Sequence, residues 1–325
     1  MAMLQELKGK GLLIHHWDTD GICSARLILE KLSGKKIDNR TPELGNYFLT
    51  DKELKDYSKY DFIIIADMSL PEDNILRLAE KSKVLIFDHH LGQEIKEVFH
   101  YNPIVKGKNP DEYPSTSWII NKFLDNDVNL FALLGIVGDH EQRIKNNKQI
   151  YKIITDFCQK NKLNFDDMLK IVYLLDSNYK LGDKKTVENA PRLLLNYNSA
   201  DEILRNEKWN KNLTILNEEI AKQLEKPQDE IQGKIFKKIE TKYNIISTVT
   251  RKIAWDSGKD TIVINTGFFD DKDQIYVRSS KNLEPLIGWG KSLGYMCGGK
   301  KEVLGVVIPK DKTDSFVRKI LDFLK

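Results

Sequence analysis

Two histidines and two aspartates crowd into the stretch "HHWDTDG" (residues 15 to 21), directly after an apolar run. A strand turning into a helix needs one Asp for a cap and a Gly for turn geometry. It does not need His15, His16, Asp18 and Asp20 together. The crowding recurs: Asp67 closes "FIIIAD", Asp88, His89 and His90 close "KVLIFDHH", and Asp139 and His140 close "LFALLGIVGDH". All six histidines precede residue 141. Carboxylates and imidazoles without thiolates suit a hard or borderline cation such as Mn²⁺ or Mg²⁺ better than a structural zinc. Asp18, Asp20, Asp67 and Asp139, with His16 and His89, are donors enough for two ions that share one carboxylate. Ions paired about 3.5 to 4 Å apart generate hydroxide near neutral pH and neutralise phosphoryl oxygens during in-line displacement. The donor set therefore points to phosphoester hydrolysis. Taken singly, each cluster reads as a turn or a helix cap; four of them at the ends of apolar runs do not.

The surrounding pattern must place these ends side by side. "GLLIHH" reads as a buried strand, "GICSARLILEKL" as a helix, "NYFLT" as a strand, "DFIIIADMS" as a strong strand, residues 72 to 81 as a helix and "KVLIFDHH" as another strand. Strands alternating with helices imply βαβ units and a parallel sheet, in which ligands bind at the carboxyl ends of the strands. "STSWIINKFL" and "LFALLGIVGDH" read as helices, and residues 147 to 240 as mostly helical. Beyond Pro227, "YNIISTVT", "DTIVINTG", "QIYVRSS" and "EVLGVVIP" read as strands, with helices over "LEPLIGWGKSLGY" and "TDSFVRKILDFL". The expected fold is α/β in two domains: a parallel-sheet domain with helices on both faces over residues 1–185, a helical connector over 186–240, and a smaller α/β domain over 241–325.

A chain of 325 residues, 41% hydrophobic and 30% charged, is composed like a globular protein long enough for two cores. Its apolar runs fall well short of the roughly 20 residues of a membrane span, and the N-terminus lacks the apolar core of a signal peptide. Three scattered cysteines without a CxxC give neither a disulfide framework nor a thiolate zinc site. A cytoplasmic location is expected. The net charge is +3, but residues 231–325 carry 18 Lys and Arg against 11 Asp and Glu, so that part is +7 and the rest −4. A basic C-terminal part joined to an acidic, histidine-bearing one suits a polyanionic substrate. "GWGKSLG" lacks the first glycine of a phosphate-binding loop and reads as an ordinary helix. Trp17 either stacks on a base or packs against the domain interface, and Trp255 and Trp289 read as core or interdomain packing, with contact to substrate as the alternative.

"HWDTDG", the Asp ending "FIIIAD", the triplet "DHH" and "GIVGDH" resemble, in order and spacing, the four motifs of the DHH phosphoesterase superfamily. "VRSS" and "CGGKKEVLG" resemble its second, DHHA1-type domain, so the resemblance spans nearly the whole chain. It implies that His16 and Asp18 hold one metal ion, that Asp20, His89 and Asp139 hold a second, and that Asp67 bridges them. His90 would contact the substrate phosphate, and Asp88 would orient its neighbours. Arg278, Ser279, Gly298 and Gly299 would hold the nucleotide backbone. Where the family loop usually reads GGGH, this chain has Cys297-Gly-Gly-Lys300; a lysine offers phosphate a point charge but no positioned imidazole.

Among its members the chain resembles the RecJ-like nucleases of archaea, in a compact form. That implies a Mn²⁺- or Mg²⁺-dependent exonuclease in a cleft between the domains. It would degrade single-stranded DNA or RNA to mononucleotides, in the 3′→5′ direction, in repair or replication, and it could form a homo-oligomer. The same resemblance offers a Hef-type helicase-nuclease or GINS as partners. Two alternatives share the fold: a phosphodiesterase for short RNA, phosphoadenosine phosphate or a cyclic dinucleotide, and a non-catalytic Cdc45-like replication factor. Because relatives of the last kind usually lose metal ligands, the full donor set favours an enzyme.

Overall fold

A computed structural model describes residues 2–197 and 199–325 and divides into two compact units: residues 1–179 with 183–210, and residues 180–182 with 211–325. In the first, chain order is α1 (Ala2–Gln5), β1 (Gly11–His15), α2 (Thr19–Lys31), β2 (Ile37–Arg40), α3 (Asp51–Tyr57), β3 (Phe62–Ala66), α4 (Glu72–Ala79), β4 (Lys83–Phe87) and β5 (Phe99–Tyr101). Then follow α5 (Thr116–Phe123), α6 (Leu130–His140), α7 (Lys148–Lys160), α8 (Phe165–Lys180), α9 (Lys184–Leu194) and α10 (Ala200–Leu204), with α11 (Glu207–Glu225) leading into the second unit.

The five strands form one sheet in the order β2-β1-β3-β4-β5, and every pairing is parallel. All five residues of β1 and of β3 are buried, so helices cover both faces of the central strands. That is why "GLLIH" and "FIIIA" are continuous apolar runs rather than alternating ones. In this strand order the chain leaves β1 toward one edge and returns to the other side of it. The crevice at such a reversal opens at the carboxyl ends of β1 and β3.

The second unit contains β6 (Asp229–Ile231), β7 (Lys234–Ile239), α12 (Ile246–Ser257), β8 (Thr261–Asn265), β9 (Lys272–Arg278), α13 (Glu284–Ser292), β10 (Met296–Lys300), β11 (Val303–Pro309) and α14 (Thr313–Phe323). Its six strands run in the order β10-β11-β9-β8-β7-β6. One face packs under α13 and α14 through Ile262, Ile275, Leu286, Leu304 and Phe316, and the other under α11 and α12 through Leu216, Ile235, Val249, Ile253 and Val263. Among the described residues, no helix is long and apolar enough to cross a membrane.

Several elements differ from the sequence reading. "NYFLT" is not a strand: the Leu49 backbone N–H donates to the Asn74 side chain at 2.6 Å, and Thr50 caps α3 in a reciprocal box with Glu53. The second strand is instead the polar "IDNR", an edge strand whose inward Asn39 is spent on hydrogen bonds. "YNIISTVT" lies largely in α12. Its β-branched residues suggest a strand, but Ile246, Val249, Thr250 and Ile253 fall at helical spacing on the buried face, and the Thr250 hydroxyl donates to the Ile246 carbonyl at 2.7 Å. The chain expected as helical up to residue 240 is helical only to Glu225; residues 229–231 and 234–239 are strands of the second sheet.

Candidate metal centre

Helix α2 begins as soon as β1 ends, because Asp18 caps it by accepting from the Gly21 N–H at 3.1 Å. Gly21 answers a packing demand. A Cβ there would lie 2.3 Å from the His16 carbonyl oxygen, so only glycine lets the helix close onto the turn. Two glycines of "LLGIVGDH" serve α6 in the same way. A Cβ on Gly135 would lie 2.0 Å from Asp20 Oδ1, and one on Gly138 3.1 Å from Thr19 Cβ. α2 and α6 thus approach closely enough for Asp20 and Asp139 to meet.

Asp67, one residue beyond β3, is 2% exposed and takes a left-handed backbone with φ +60°. A non-glycine residue held there is a local strain that surrounding contacts must enforce. Its N–H donates to the Phe87 carbonyl at 2.9 Å, and its Oδ1 accepts from the Thr116 hydroxyl at 2.9 Å. The conformation turns the carboxylate into the crevice, where Asp67 belongs to two close groups of donor atoms: with His16 and Asp18, and with His89 and His90. Asp20, His89 and Asp139 form a third. In the first group His16 Nδ1 stands 2.8 Å from Asp18 Oδ2 and 3.9 Å from Asp67 Oδ2; in the third His89 Nε2 stands 3.0 Å from Asp139 Oδ2. Asp20 is further held by the amino end of α5, accepting from the Thr116 and Ser117 N–H groups at 2.6 and 2.9 Å.

Burial and mutual repulsion shift the titration of several of these groups. Burial, and then the neighbouring Asp20, Asp18, Asp139 and Asp88, push the Asp67 carboxyl well above the usual range. Burial and then Asp139 raise Asp20. Burial opposes protonation of His89, but the Asp139 contact outweighs it and carries the imidazole to about 9. His16 is raised in the same manner, its burial outweighed by Asp18. Both buried ring nitrogens of His16 lack a hydrogen bond, Nδ1 despite its closeness to Asp18. Donor atoms that approach without hydrogen-bond alignment, among carboxylates that repel one another, fit a divalent cation well.

The third strand end is braced differently. His90 Nδ1 donates to Asp88 Oδ1 at 2.7 Å, and its ring is partly open. Burial would raise Asp88, but His90 and the hydrogen bond between them hold it below the usual carboxylate range. The Asn102 side chain donates to the His90 carbonyl at 2.8 Å while its oxygen accepts from Ile104 N–H at 2.9 Å, which fixes the loop after β4.

Other residues of the motifs stand outside the cluster. His15 is fully buried; its Nδ1–H donates to the His16 carbonyl at 2.5 Å, which leaves Nε2 as acceptor for the Asn39 amide at 2.9 Å. Burial lowers it to about 4, so it is a neutral core histidine. His140 contacts the Pro114 carbonyl at 2.9 Å and supports the approach to α5. Trp17 is buried against His16 and Tyr47.

Asp176, on α8, escaped the sequence reading because it sits in mid-helix more than 150 residues from its partner, with no motif around it. It accepts from the Thr19 N–H at 3.0 Å and the Thr19 hydroxyl at 2.7 Å. The residue between the donors Asp18 and Asp20 is thereby clamped. Removing an outer-shell partner of metal ligands typically costs 10- to 100-fold in metal affinity. Asp176→Ala is therefore expected to weaken Mn²⁺ binding by that order in calorimetric titration, with Asp176→Asn, which keeps an acceptor, closer to wild type.

In the second unit, Lys300 pairs with Val303 and Val303 with Arg278, a cross-strand row whose side chains share one face of the sheet. Gly298 pairs with Gly305 in the next row on that face. The "CGGK" segment, expected as a glycine-rich loop, is thus the exposed edge strand β10. Gly299 has φ +148°, and a Cβ there would meet the Val303 carbonyl oxygen at 1.9 Å. The Ser279 N–H donates to the Glu302 carbonyl at 3.2 Å, and its hydroxyl accepts from Lys281 N–H at 3.0 Å. Trp289 stacks on Phe316 as a packing residue, and Trp255 is 56% exposed, outside the core of its own unit.

Residues 12–158 match the model of the DHH family, N-terminal domain. Sequence comparison with curated proteins matches none of them. Among solved structures, RecJ with Mn²⁺ from Thermus thermophilus superposes with a TM-score of 0.71 at 16% identity, covering 99% of this chain and 53% of that one. The chain thus spans about half the length of that relative. An exonuclease RecJ bound to manganese gives 0.68 at 14% identity, covering 99% of this chain and 92% of that one. The pGpG-specific phosphodiesterase PggH of Vibrio gives 0.52 at 14% identity, covering 97% and 99%. The strand-end clusters thus lie within a segment that matches the DHH family's N-terminal domain, and nearly the whole chain has the fold of the RecJ structures.

Proposed function

We propose that the protein is a divalent-metal-dependent exonuclease that degrades single-stranded nucleic acid to mononucleotides from its 3′ end, in DNA repair or replication. The observation that carries this reading is Asp67: one buried, strained carboxylate common to two of the three donor groups at adjacent strand ends. His16 and Asp18 would hold one ion, Asp20, His89 and Asp139 the other, with Asp67 between them. When bound, Mn²⁺ or Mg²⁺ would supply hydroxide near neutral pH and neutralise phosphoryl charge. His90, aligned by Asp88 and partly open, would donate to a phosphoryl oxygen as negative charge develops there. Arg278, Ser279, Gly298, Gly299 and Lys300 supply a basic, side-chain-poor surface suited to a phosphodiester backbone.

The test is digestion of a single-stranded oligonucleotide labelled at either end, with Mn²⁺, with Mg²⁺ and with chelator, beside His90→Ala. Metal-dependent release of mononucleotides, lost in the variant and seen first from the 3′ label, is expected. Cleavage of dinucleotides alone would replace this reading with a small-substrate phosphodiesterase. Binding of strands without any hydrolysis would replace it with a replication factor of the Cdc45 kind.

A further inference from the structure

Among the described residues Trp255 is the one tryptophan in the exposed class, with 56% of its surface open. Its helix gives no reason for this. α12 already buries Ile246, Val249 and Ile253 against the sheet, and an exposed indole leaves a large apolar area in water. Two guanidiniums stand against the ring: Arg251, one helical turn earlier, at 5.4 Å from the centroid, and Arg278, from the end of β9, at 5.8 Å. Arg278 shares its cross-strand row with Lys300, and the adjoining row ends in Gly298 and Gly305. A Cβ on Gly298 would meet nothing within 4 Å. A planar apolar face thus stands beside two guanidiniums, and the row of Arg278 continues across Val303 to Lys300, next to a strip of sheet lacking side chains.

Single-stranded nucleic acid is bound by this combination: cations track the phosphates, and an aromatic ring stacks a base whatever its identity. We infer that Trp255 is a base-stacking platform in the second unit, with Arg251, Arg278 and Lys300 pairing with the phosphates on either side of the stacked nucleotide. The inference rests on the nuclease reading for its ligand, and it adds Trp255 and Arg251 to the surface that reading uses. Stacking asks nothing of the imidazole that the family loop has and this chain lacks. Lys300 then needs to act only as a charge.

The full chain, kept in chelator so that no strand is cut, is titrated into a fluorescein-labelled thymidine 20-mer and followed by anisotropy. Loss of one stacked base is worth about 1–3 kcal/mol, so Trp255→Ala is expected to weaken binding by about 5- to 150-fold. Trp255→Phe, which still stacks, should stay within a few-fold of wild type. Arg251→Gln should lower the slope of log affinity against log salt by about 0.7, the release of one phosphate counterion from a single strand. Because Trp255 is exposed, the alanine variant should keep the wild-type melting temperature, which separates lost contact from lost fold. A wild-type chain that binds the strand while Trp255→Ala binds equally well overturns the platform and leaves the nuclease reading standing. Equal losses in the alanine and phenylalanine variants also overturn it. A wild-type chain that neither binds nor cuts any strand overturns both.

Discussion

Asp67→Asn should abolish divalent-metal stabilisation and yet raise the melting temperature of the protein in chelator. The two effects have one cause. Asp67 is buried among four other aspartates, and burial together with that company pushes its carboxyl well above the usual range. A buried like-charge cluster is stabilised by a cation and destabilised without one. Asparagine removes the charge and keeps what the fold needs. It tolerates the left-handed backbone better than most residues, and its side-chain oxygen can still accept from the Thr116 hydroxyl. Relief of about 1–2 kcal/mol corresponds to a rise of roughly 2–8 °C for a unit of this size. Wild type should gain about 2.7 kcal/mol when free Mn²⁺ reaches a hundredfold excess over Kd, and the variant should gain almost nothing. Scanning calorimetry with and without Mn²⁺ reads both. A variant less stable than wild type in chelator would show that the carboxylate is a structural partner rather than a ligand.

The second large effect concerns Gly21. Alanine for glycine inside a helix ordinarily stabilises by about 1 kcal/mol. Here the new methyl would stand 2.3 Å from the His16 carbonyl oxygen and 2.6 Å from its carbon, both backbone atoms. No rotamer change relieves that overlap, so either α2 lifts or the His16 turn shifts. Overpacking costs about 1–3 kcal/mol where side chains can adjust, and here the backbone must. Gly21→Ala is expected to lose at least about 2 kcal/mol in urea denaturation and to bind Mn²⁺ at least tenfold more weakly. Gly34→Ala, where the added methyl meets nothing within 4 Å, is the control; its change should stay within about 0.5 kcal/mol. Equal behaviour of the two variants would refute the close-approach account of the "DTDG" glycine.

The first sheet was legible because β1, β3 and β4 are apolar runs ending in polar clusters, and the topology then leaves one place for those ends to meet. What escaped reading was polar or out of period. The edge strand at Ile37–Arg40 carries the buried Asn39, whose partner is a histidine elsewhere in the chain. The β-branched composition of residues 246 to 250 outweighed their helical spacing. Asp176 acts through one threonine from far along the sequence, so neither spacing nor composition announces it. Trp255 stayed divided between packing and substrate contact because a tryptophan's size argues for burial, and nothing in the sequence brings Arg278 of β9 beside Arg251 at its ring.

The order of the donors along the chain also sets the order in which a growing chain can present them. His16, Asp18 and Asp67 come together once β1 and β3 pair, and Asp67 is then steadied by the Phe87 carbonyl of β4. Asp139 lies at the far end of α6, and Asp20 waits on the amides of Thr116 and Ser117. On the ribosome, therefore, a growing chain presents a partial chelating set dozens of residues before the full one. With β4 in place the group of Asp67, His89 and His90 stands beside that of His16, Asp18 and Asp67, and the group of Asp20, His89 and Asp139 can close only when α6 docks on α2.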